Sequence, residues 1–574
     1  MRRALWIAVA VGITGCSAKP PVVKAVPAPI DPWVLTCTDV QSPEPAWLSN
    51  GIYGYRISRF GQPIRQFSIN DYEATDQERI LPKEIPLGKD PEDVSNYSQS
   101  LDMRTGELRT TWTANGDTTT IFSVVDSKGR LISKVGHTNP EIMEIRVFGG
   151  DPSSEEPGIA FDQAKSECTK EWETDIEIDG PVEDQQAVRS FLFYLRRAIH
   201  PSSRRAVAPF ALSNKTYHGH VFWDADIWVF PALALLDPAR AKTIPQYRIA
   251  TIPVAKQNFQ EWMQSGKPHG NGGKPDAPAK GSPLGIKFAW ESSVTGKETV
   301  RSDSQFEDHI TGSVAWGISL SNALGLTNDK EIIAGAAEFY RERSVEGPKG
   351  REIKGTLSPD EFHIGDNDLY TNLLAQWCMN GGKWDGPNKF KLPSKDGALL
   401  TYDGDNSKAY KQAAAVLAIF PLHFPLAVAQ SQQMMERFES KITPNGPAMS
   451  DSIHALISAR NSESDLAYET WRKSWQPFTD QPLLLFSEKR NKALTYFTTG
   501  AGGCLQTVLF GFLNIRITQE KPKSGWMRPL KNGFWVSSSP RIPQEWKSVK
   551  VKSLSILGKK ETLIFDSGGV KSTK

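Results

Sequence analysis

The 574-residue sequence lacks a continuous apolar run of the roughly 18 residues that a membrane-spanning helix needs. It also lacks an excess of charge, with 67 basic and 65 acidic side chains and a net charge of +2. Nucleic-acid binding requires a basic surface, so this balance argues against a nucleic-acid partner. The five cysteines form no CxxC pair and have no His at metal-ligand spacing, which argues against a zinc site. The chain length instead predicts several globular domains.

The first residues have the features of a bacterial export signal. The opening MRR is basic, an apolar run follows, and small residues precede Cys16. The tetrad ITGC at residues 13–16 resembles a lipobox, so we predict a signal peptide over residues 1–16 and lipidation of Cys16. The protein would then be an exported lipoprotein that meets a membrane only through its anchor. Ser17 favours the outer membrane or cell surface. The alternative to an export signal is a buried apolar helix with an incidental Cys.

The rest of the chain divides by its hydrophobic periodicity. Residues 17–34 are rich in Pro, Ala and Val and predict a semi-extended tether. Residues 35–175 alternate apolar and polar side chains between short turns, which is typical of a β-sandwich, and Asn115-Gly116 predicts a hairpin. Helical spacing then begins with an apolar stripe of Val188, Leu192 and Leu195 on one predicted helix face, and alternation returns near the C-terminus. The further predicted regions are a helical linker over 176–205, a large helical domain over 206–515 and a small β-domain over 516–574.

Two features of these regions allow two interpretations each. Cys37 and Cys168 either form a disulfide, which an oxidising compartment would permit, or are two buried free thiols. The segment at residues 265–285 is too polar and too rich in Gly and Pro to pack. It is either a mobile flap over a cleft or a surface insertion.

Clusters of acidic and aromatic residues lie in the helical region. Carboxylates bind sugar hydroxyls, aromatic rings stack on the C–H faces of pyranoses, and a protonated acid can donate to a departing oxygen. Each cluster by itself is a weak signal, but together they indicate a sugar cleft, and the 17 Trp residues agree with this. The clusters are HGHVFWDADIW at 218–228, FAWES at 288–292, SPDEFH at 358–363 and DNDLYTN at 366–372.

A series of short motifs between residues 215 and 516 follows the order found in one enzyme family. The sequence resembles glycoside hydrolase family 65, which includes acid trehalases, α-glucosyl disaccharide phosphorylases and the glucosidase acting on glucosyl-galactosyl-hydroxylysine. The motifs are GHVFWD (219–224), YR (247–248), WES (290–292), HITG (309–312), PDEFH (359–363), YTN (370–372), KQ (411–412), NGPAM (445–449) and TGAGG (499–503).

The resemblance implies a multidomain α+β fold in which an (α/α)6 barrel is flanked by an N-terminal β-sandwich and a small C-terminal β-sandwich. It implies an inverting, exo-acting enzyme that needs no cofactor or metal and acts on an α-glucosyl disaccharide or glycoconjugate of trehalose, kojibiose or glucosyl-galactose type. By the same resemblance Glu361 is the general acid. The residues implied to surround the glucosyl unit are Trp223, Asp224, Trp290 and Glu291, with Lys411 and Gln412 at the far wall.

The reaction depends on what attacks the anomeric carbon. Phosphorylases of the family bind phosphate through a Ser-rich loop and a His, whereas hydrolases use a second carboxylate to deprotonate water. Here the loop reads GPAMS at residues 446–450, similar to the hydrolases, and Glu488 matches their second catalytic Glu. A solvent-exposed acid beside Lys489 and Arg490 is the alternative for Glu488. Export also favours hydrolysis, because water is always present outside the cell.

Several residues depart from the family pattern or allow another role. Ala414 replaces an acid of the family, His454 and Ser450 could form an anion pocket as in phosphorylases, and Asp226 either contacts sugar or serves a helix N-terminus. The histidines of the motifs fit a sugar cleft better than a metal site. The alternatives to a hydrolase are a disaccharide phosphorylase and a non-catalytic glycan-binding surface lipoprotein, and the second carboxylate argues against the latter.

Overall fold

The computed structural model describes residues 30–42, 44–69, 80–86, 88–203, 205–264, 285–300, 303–479 and 482–573. The predicted signal peptide with Cys16, most of the tether, and the 265–285 segment apart from Gly285 lie outside these residues. Pro32–Lys574 form one compact unit. No helix in the described ranges is long and apolar enough to cross a bilayer.

Antiparallel strands make up most of the N-terminal region. The predicted hairpin is confirmed, because Ala114 pairs with Asp117 and both residues between them have positive φ, 52° at Asn115 and 78° at Gly116. The strands are β1 Val34–Cys37, β2 Ala46–Ser49, β3 Tyr53–Ile57, β4 Pro63–Ile69, β5 Ile80–Glu84, β6 Ser95–Asp102, β7 Glu107–Ala114, β8 Asp117–Val125, β9 Leu131–Thr138 and β10 Glu141–Phe148. In the described residues they form a six-stranded sheet, β1-β6-β7-β8-β9-β10, and a four-stranded sheet, β2-β3-β4-β5.

A helix that the alternation did not indicate, α1 (Pro157–Glu171), follows these strands. Its sequence signal is weak because only Ala160, Phe161 and Cys168 of the helix are buried. Two of these residues pack on the sheet beside Val124. The helix thus covers part of one sheet face with a short apolar stripe.

The cysteines in the described residues are free and buried. Cys37 and Cys168 are therefore two thiols and not a disulfide. Burial raises the pKa of Cys168 to about 11, so this thiol stays protonated at neutral pH.

Helices dominate the middle of the chain. The predicted stripe on α2 is confirmed, since Val188, Leu192 and Leu195 are all buried. The helices are α2 Val182–Ala198, α3 Phe230–Leu236, α4 Pro238–Ala241, α5 Thr243–Ala250, α6 Ile252–Gln264, α7 His309–Ala323, α8 Glu331–Arg343, α9 Leu369–Met379, α10 Val428–Phe438, α11 Asp451–Arg460, α12 Ser464–Trp475 and α13 Thr498–Gln506. A π-helical segment, Ala225–Val229, leads into α3, and another, Thr507–Phe512, extends α13.

The C-terminal strands form two sheets, and one of them takes a strand from the predicted linker. Strand β11 (Asp175–Asp179) pairs antiparallel with β19 (Ser548–Ile556). With β20 (Lys559–Asp566) and β21 (Gly569–Thr573) they give the order β11-β19-β20-β21 in the described residues. Sequence alternation in DIEID fits a half-buried strand, but its partner lies far along the chain. The remaining strands are β12 Thr356–Leu357, β13 Ile364–Gly365, β14 Ser394–Lys395, β15 Ala398–Leu399, β16 Ile515–Thr518, β17 Trp526–Pro529, β18 Trp535–Ser538, β19 Ser548–Ile556, β20 Lys559–Asp566 and β21 Gly569–Thr573.

Candidate active site

Residues of the sequence motifs gather where several helices begin. Asp224 directly precedes the first π-helical segment, His309 is the first residue of α7, Asp368 caps α9, and Thr499 lies in the first turn of α13. Helix amino termini carry free N–H groups and a partial positive charge. These helix starts therefore suit a site that is rich in carboxyl groups.

Glu361 lies on a tight turn between β12 and β13. Its N–H donates to the Ser358 carbonyl at 2.8 Å, and the Ser358 N–H donates to the His363 carbonyl at 2.9 Å. Buried Asp360 accepts a hydrogen bond from the Phe362 N–H at 3.2 Å. Glu361 has a φ of 57°, a conformation that costs a non-glycine residue about 1–2 kcal/mol. The turn thus holds Glu361 in a strained conformation, as is common at functional sites.

Lys411 and Gln412 contact the carboxylate of Glu361. Lys411 Nζ pairs with Oε2, while Gln412 Nε2 donates to Oε1 at 3.1 Å and to the Pro359 carbonyl at 2.7 Å. Gln412 is buried, whereas the side chains of Lys411 and Glu361 are partly exposed. The two residues fix the direction in which the Glu361 carboxyl points.

Glu488 lies on a loop that is held by backbone hydrogen bonds. Its N–H donates to the Leu494 carbonyl at 3.0 Å, and its carbonyl accepts from the Ala448 N–H at 2.9 Å. The second bond joins Glu488 directly to the 446–450 loop, where a phosphorylase would carry its Ser-rich segment. The Glu488 side chain is buried at 7% exposure, unlike the solvated acid that the alternative interpretation requires.

The Glu488 carboxyl faces other ionisable groups. Its Oε1 accepts a hydrogen bond from the Tyr217 hydroxyl at 3.3 Å. Burial raises the pKa of Glu488, and the positive charges of Lys489 and Lys411 oppose that rise. Lys411 therefore acts on both carboxyl groups: it forms an ion pair with Glu361 and its charge lowers the pKa of Glu488.

Asp224 connects the two carboxyl groups. It is 8% exposed and accepts a hydrogen bond from Thr499 Oγ1 at 2.8 Å. Burial is the main cause that raises the pKa of Asp224 to about 7, and the charges of Glu361 and Glu488 raise it further. The three carboxyl groups, although far apart in sequence, therefore belong to one site.

Trp223 is a packed residue beside Asp224. Its indole is 2% exposed and makes edge-on contacts with Trp228 at 4.6 Å and His309 at 4.4 Å between ring centroids. The ring is thus a wall of the site that other rings hold in place. Little of its surface is open for stacking on a sugar.

The GHVFWD and WES motifs meet through the backbone. Val221 and Ser292 exchange two hydrogen bonds, of 2.8 and 3.1 Å. This pairing brings Glu291 Oε1 to 2.7 Å from His220 Nδ1, and it leaves Trp290 partly exposed. Trp290 therefore offers a more accessible aromatic surface than Trp223 does.

Comparison with known proteins identifies this arrangement. Residues 189–385 match the family model described as "Glycosyl hydrolase family 65 central catalytic domain". The chain belongs to glycosyl hydrolase family 65. The match contains Asp224, Trp290, Glu291 and Glu361 of the candidate site.

Curated relatives and a solved structure agree with the family assignment. The chain is 31% identical over 409 residues to a kojibiose hydrolase of Mucilaginibacter mallensis, covering 66% of this chain and 56% of that protein. It is 30% identical over 440 residues to the protein-glucosylgalactosylhydroxylysine glucosidase of Danio rerio, covering 69% and 62%. The chain thus spans less than two thirds of these relatives. A solved structure provisionally named a kojibiose phosphorylase, from the human microbiome, shares the fold with a TM-score of 0.64 at 14% identity over 95% of both chains.

Tyr217 is a residue of the candidate site that the sequence analysis missed. It has a φ of 57° and is 37% exposed, and its hydroxyl reaches Glu488. Burial raises the pKa of Tyr217, and the charge of Glu488 adds to the effect, so the hydroxyl stays protonated and donates. Its position just before the His218-Gly219-His220 run was the available signal.

Glu307 is a second missed residue. It is buried, with Oε2 at 2.9 Å from His309 Nε2. Burial raises the pKa of Glu307 well above its usual range, and the charge of Glu361 raises it further. Burial also lowers the pKa of His309 to about 3, which favours the neutral form of the ring. Only its place two residues before the HITG motif could have indicated it.

Asp226 has a structural partner. Both of its carboxylate oxygens accept from the Arg248 guanidinium, at distances down to 2.6 Å, and both side chains are buried. Arg248 also donates to the Phe222 carbonyl at 3.1 Å. This ion pair satisfies Asp226, and the bond to Phe222 connects Arg248 to the GHVFWD segment. Arg248 of the YR motif thus has a structural role, since it holds Asp226 and the backbone of Phe222.

The two residues of the possible anion pocket differ, because Ser450 has a hydrogen-bond partner and His454 has none within the described residues. Ser450 Oγ accepts from the Ala413 N–H at 2.8 Å. Neither ring nitrogen of His454 has a hydrogen-bond partner in the described part of the chain. Burial lowers the pKa of His454 to about 4, so the ring is neutral at neutral pH and brings no positive charge to an anion.

The motif histidines contact protein carboxyl groups. His220 contacts Glu291, and His363 Nδ1 lies 2.5 Å from Asp360 Oδ2. In the residues that the structure describes, no group of three or more His, Cys, Asp and Glu side chains is placed to hold a metal ion.

Proposed function

We propose that the chain is an inverting, exo-acting α-glucosidase that hydrolyses a terminal α-glucosyl residue of a disaccharide or glycoconjugate. The observation that carries the proposal is the placement of Glu361 and Glu488 at one site, where the charges of both raise the pKa of buried Asp224. One carboxyl is oriented by Lys411 and the other by Tyr217. Glycoside hydrolysis commonly uses two carboxyl groups that face one site, and the inverting form is what the resemblance to family 65 implies.

In this mechanism Glu361, when protonated, gives its proton to the glycosidic oxygen as the C–O bond breaks. A water molecule attacks the anomeric carbon from the opposite face, and Glu488 accepts a proton from that water. The two carboxyls of an inverting pair stand about 6.5–9.5 Å apart, which leaves room for the water. An α-glucoside then yields β-glucose. The raised pKa of Glu488 makes its ionised form a stronger base.

The glucosyl unit would be held by the residues that surround these two carboxyls. Asp224 and Glu291 bind hydroxyl groups, and Trp290 offers its partly exposed indole face. Trp223 closes the wall behind them. Lys411 and Gln412 bound the site on the side of Glu361, which they touch.

The substrate we favour is a kojibiose-type α-glucoside. The two curated relatives are named for kojibiose and for glucosyl-galactosyl-hydroxylysine, each of which ends in an α-glucosyl residue. The leaving group would be a glucose or a galactose unit. We infer no cofactor or metal, because both proton transfers are assigned to side chains of this chain.

Phosphorolysis is the second candidate function, and one observation favours it. The Ser452 hydroxyl and both ring nitrogens of buried His454 lack hydrogen-bond partners within the described residues, as an empty anion pocket would. Two observations oppose it: the neighbouring 446–449 segment carries no hydroxyl side chain, and His454 is neutral. A buried Glu488 beside that loop would also repel phosphate.

We further propose the finer architecture of the family. The helices of residues 206–515 would form an (α/α)6 barrel, residues 35–175 an N-terminal β-sandwich, and residues 516–574 a small C-terminal β-sandwich, joined by a linker over 176–205. The antiparallel sheets at both ends of the chain and the helices between them support this arrangement.

We propose that the protein is an exported lipoprotein of the outer membrane, facing the periplasm or the cell surface. Cleavage before Cys16 would remove the residues that precede it, Cys16 would carry the lipid, and residues 17–34 would tether the enzyme. Expression of the Cys16→Ala variant tests this. The variant should appear in the soluble fraction while the wild type partitions with membranes, and equal partitioning would contradict the anchor.

The reaction is tested by following products with NMR. The enzyme is incubated with kojibiose, nigerose, maltose, trehalose and α-1,2-glucosyl-galactose, with and without phosphate. We expect β-glucose as the first product in the absence of phosphate. A strict phosphate requirement would establish the phosphorylase, and α-glucose as the first product would rule out inversion. Binding without cleavage of any glucoside would support the non-catalytic glycan-binding alternative.

A further inference from the structure

A large cavity lies at the other ends of the helices that begin at the catalytic site. It has a volume of about 570 Å³. Its walls come from the second half of α7, the end of α9 with the residues that follow it, and the strand β16. Small-molecule sites usually measure roughly 300–1,000 Å³, so the cavity is large enough for a ligand of two or three sugar rings.

Aromatic rings form much of the cavity wall. Trp316 lies 4.9 Å from Trp377 and 6.2 Å from Trp384 between ring centroids, and the rings are tilted by 60° and 41°. Trp384 is held in turn by Phe424 at 5.3 Å in an edge-on contact. Trp316 and Trp384 are only partly buried, so their faces remain accessible. Such fixed rings offer flat surfaces to the C–H faces of a ligand.

Polar groups surround these rings. The carboxylates of Asp385 and Glu520 are exposed, and neither makes an ion pair within the described residues. In the same ranges the indole N–H groups of Trp316 and Trp384 donate to no protein acceptor. The cavity therefore presents free acceptors and free donors next to aromatic faces.

The cavity wall carries no cationic side chain among its described lining residues. Its one histidine, His423, accepts a hydrogen bond from Arg460 Nη1 at Nδ1, at 2.9 Å. An acceptor nitrogen cannot carry the proton, so His423 is neutral there and holds its proton on Nε2. With Asp385 and Glu520 at the cavity and no cation in its wall, an anionic ligand is disfavoured.

A hydrogen bond links the two parts of the cavity wall. Gln519 Nε2, at the end of β16, donates to the Gly382 carbonyl, which follows α9, at 3.4 Å. On the same strand, Ile515 and Ile517 line the cavity opposite the helices. The cavity thus exists because the C-terminal sheet packs against the helical region.

We propose that this cavity is a second carbohydrate-binding site, which takes a neutral di- or trisaccharide apart from the catalytic carboxyls. Exposed carboxylates accept from pairs of hydroxyl groups, indole N–H groups donate to ring and hydroxyl oxygens, and the rings cover the apolar C–H faces. A wholly apolar ligand would leave these polar groups without partners. The site would hold a longer glycan or a product molecule while the catalytic end acts on a chain terminus.

Calorimetric titration of the full-length Glu361→Gln variant, in which we expect turnover to be strongly reduced, tests this inference. The probes are kojibiose and maltotriose. We expect two binding events, and the added change Asp385→Asn should weaken one of them about tenfold or more, since a lost hydrogen bond to a charged group costs about 1.5–3 kcal/mol. Trp384→Ala should abolish the same event. Asp396→Asn, at an exposed turn, is the matched control and should change neither.

A single binding event that Asp385→Asn and Trp384→Ala leave unchanged would overturn the proposal. Binding of an apolar dye that depends on Trp384, with no sugar binding at that place, would also overturn it and assign an apolar ligand instead. Asp385→Asn keeps the test decisive if Trp384→Ala fails to fold. The binding result does not depend on hydrolysis, so failure of the proposed enzymatic reaction and failure of this inference are separate outcomes.

Discussion

The same helices carry two different kinds of surface at their two ends. At the candidate site beside the amino ends, Asp224, Glu307 and Glu488 are buried carboxyl groups, and burial raises the pKa of each. At the carboxyl ends, Asp385 and Glu520 are exposed beside a wall of tryptophans. Burial turns a carboxyl into a group that can exchange a proton near neutral pH, whereas exposure leaves it a hydrogen-bond acceptor. Residue type alone therefore does not assign a role to a carboxyl group in this molecule.

The largest effect should come from Glu361→Gln, and the same kind of substitution at the cavity serves as its control. Glu361→Gln is expected to lower kcat/KM on the order of 10²–10⁴-fold, because the leaving oxygen loses its proton donor. Glu520→Gln at the cavity should leave kcat/KM unchanged. Steady-state hydrolysis of kojibiose measures both. An aryl α-glucoside with an acidic phenol should be affected far less by Glu361→Gln, and equal losses on both substrates would contradict the role as acid.

Glu488→Gln should cause a comparable loss, on the order of 10²–10⁴-fold, but for every leaving group. Azide needs no base to attack, so adding azide to the variant should restore turnover and form β-glucosyl azide. Product analysis by NMR measures the rescue. Absence of rescue together with less than about tenfold loss would show that Glu488 is not the base.

The pH dependence of stability should also distinguish the two ends. Burial raises the pKa of Asp368, the N-cap of α9, to about 7 from 3.8, so the folded chain binds this proton more tightly than the unfolded chain. The free energy of unfolding should therefore fall as pH rises from about 4 to 7. Asp368→Asn should remove part of this fall in urea titrations, and Asp385→Asn should not. An unchanged slope in Asp368→Asn would contradict the assignment.

The smallest effect should come from replacing Lys489, an exposed lysine next to the proposed base Glu488. The charge of Lys489 lowers the pKa of Glu488, so Lys489→Met should raise it. Because the base must be ionised, the acid limb of the kcat/KM profile should then move to higher pH. Lys492→Met, which removes an exposed lysine of the same loop, is the control. A shift to lower pH in Lys489→Met would exclude Glu488 as the titrating base.

Short stretches of sequence were sufficient to predict several local features of the structure. The Asn-Gly pair at 115–116 predicts its hairpin because only residues that tolerate positive φ fit such a turn. The apolar spacing of α2 predicts its buried face. The PDEFH motif indicates Glu361, whose turn is held by hydrogen bonds within residues 358–363. These features depend on neighbours in the chain and are therefore readable from it.

Other features required the packed chain. Tyr217 and Glu488 lie 271 residues apart, and β11 finds its partner in β19 at the other end of the chain. No local pattern encodes such contacts. The cavity beside Trp384 likewise forms only where the C-terminal sheet meets the helices.

Motifs and periodicity are properties of the chain, and they were enough to indicate the family, the position of Glu361 and the broad succession of a β region, a helical region and a second β region. Only the tertiary structure decided which carboxyl groups share a site, and which of them are buried. Proton affinity depends on burial and on neighbouring charge, and both arise from contacts between distant segments. That is why Glu307 and Tyr217 became visible only in the folded chain, while Glu361 was readable from five residues.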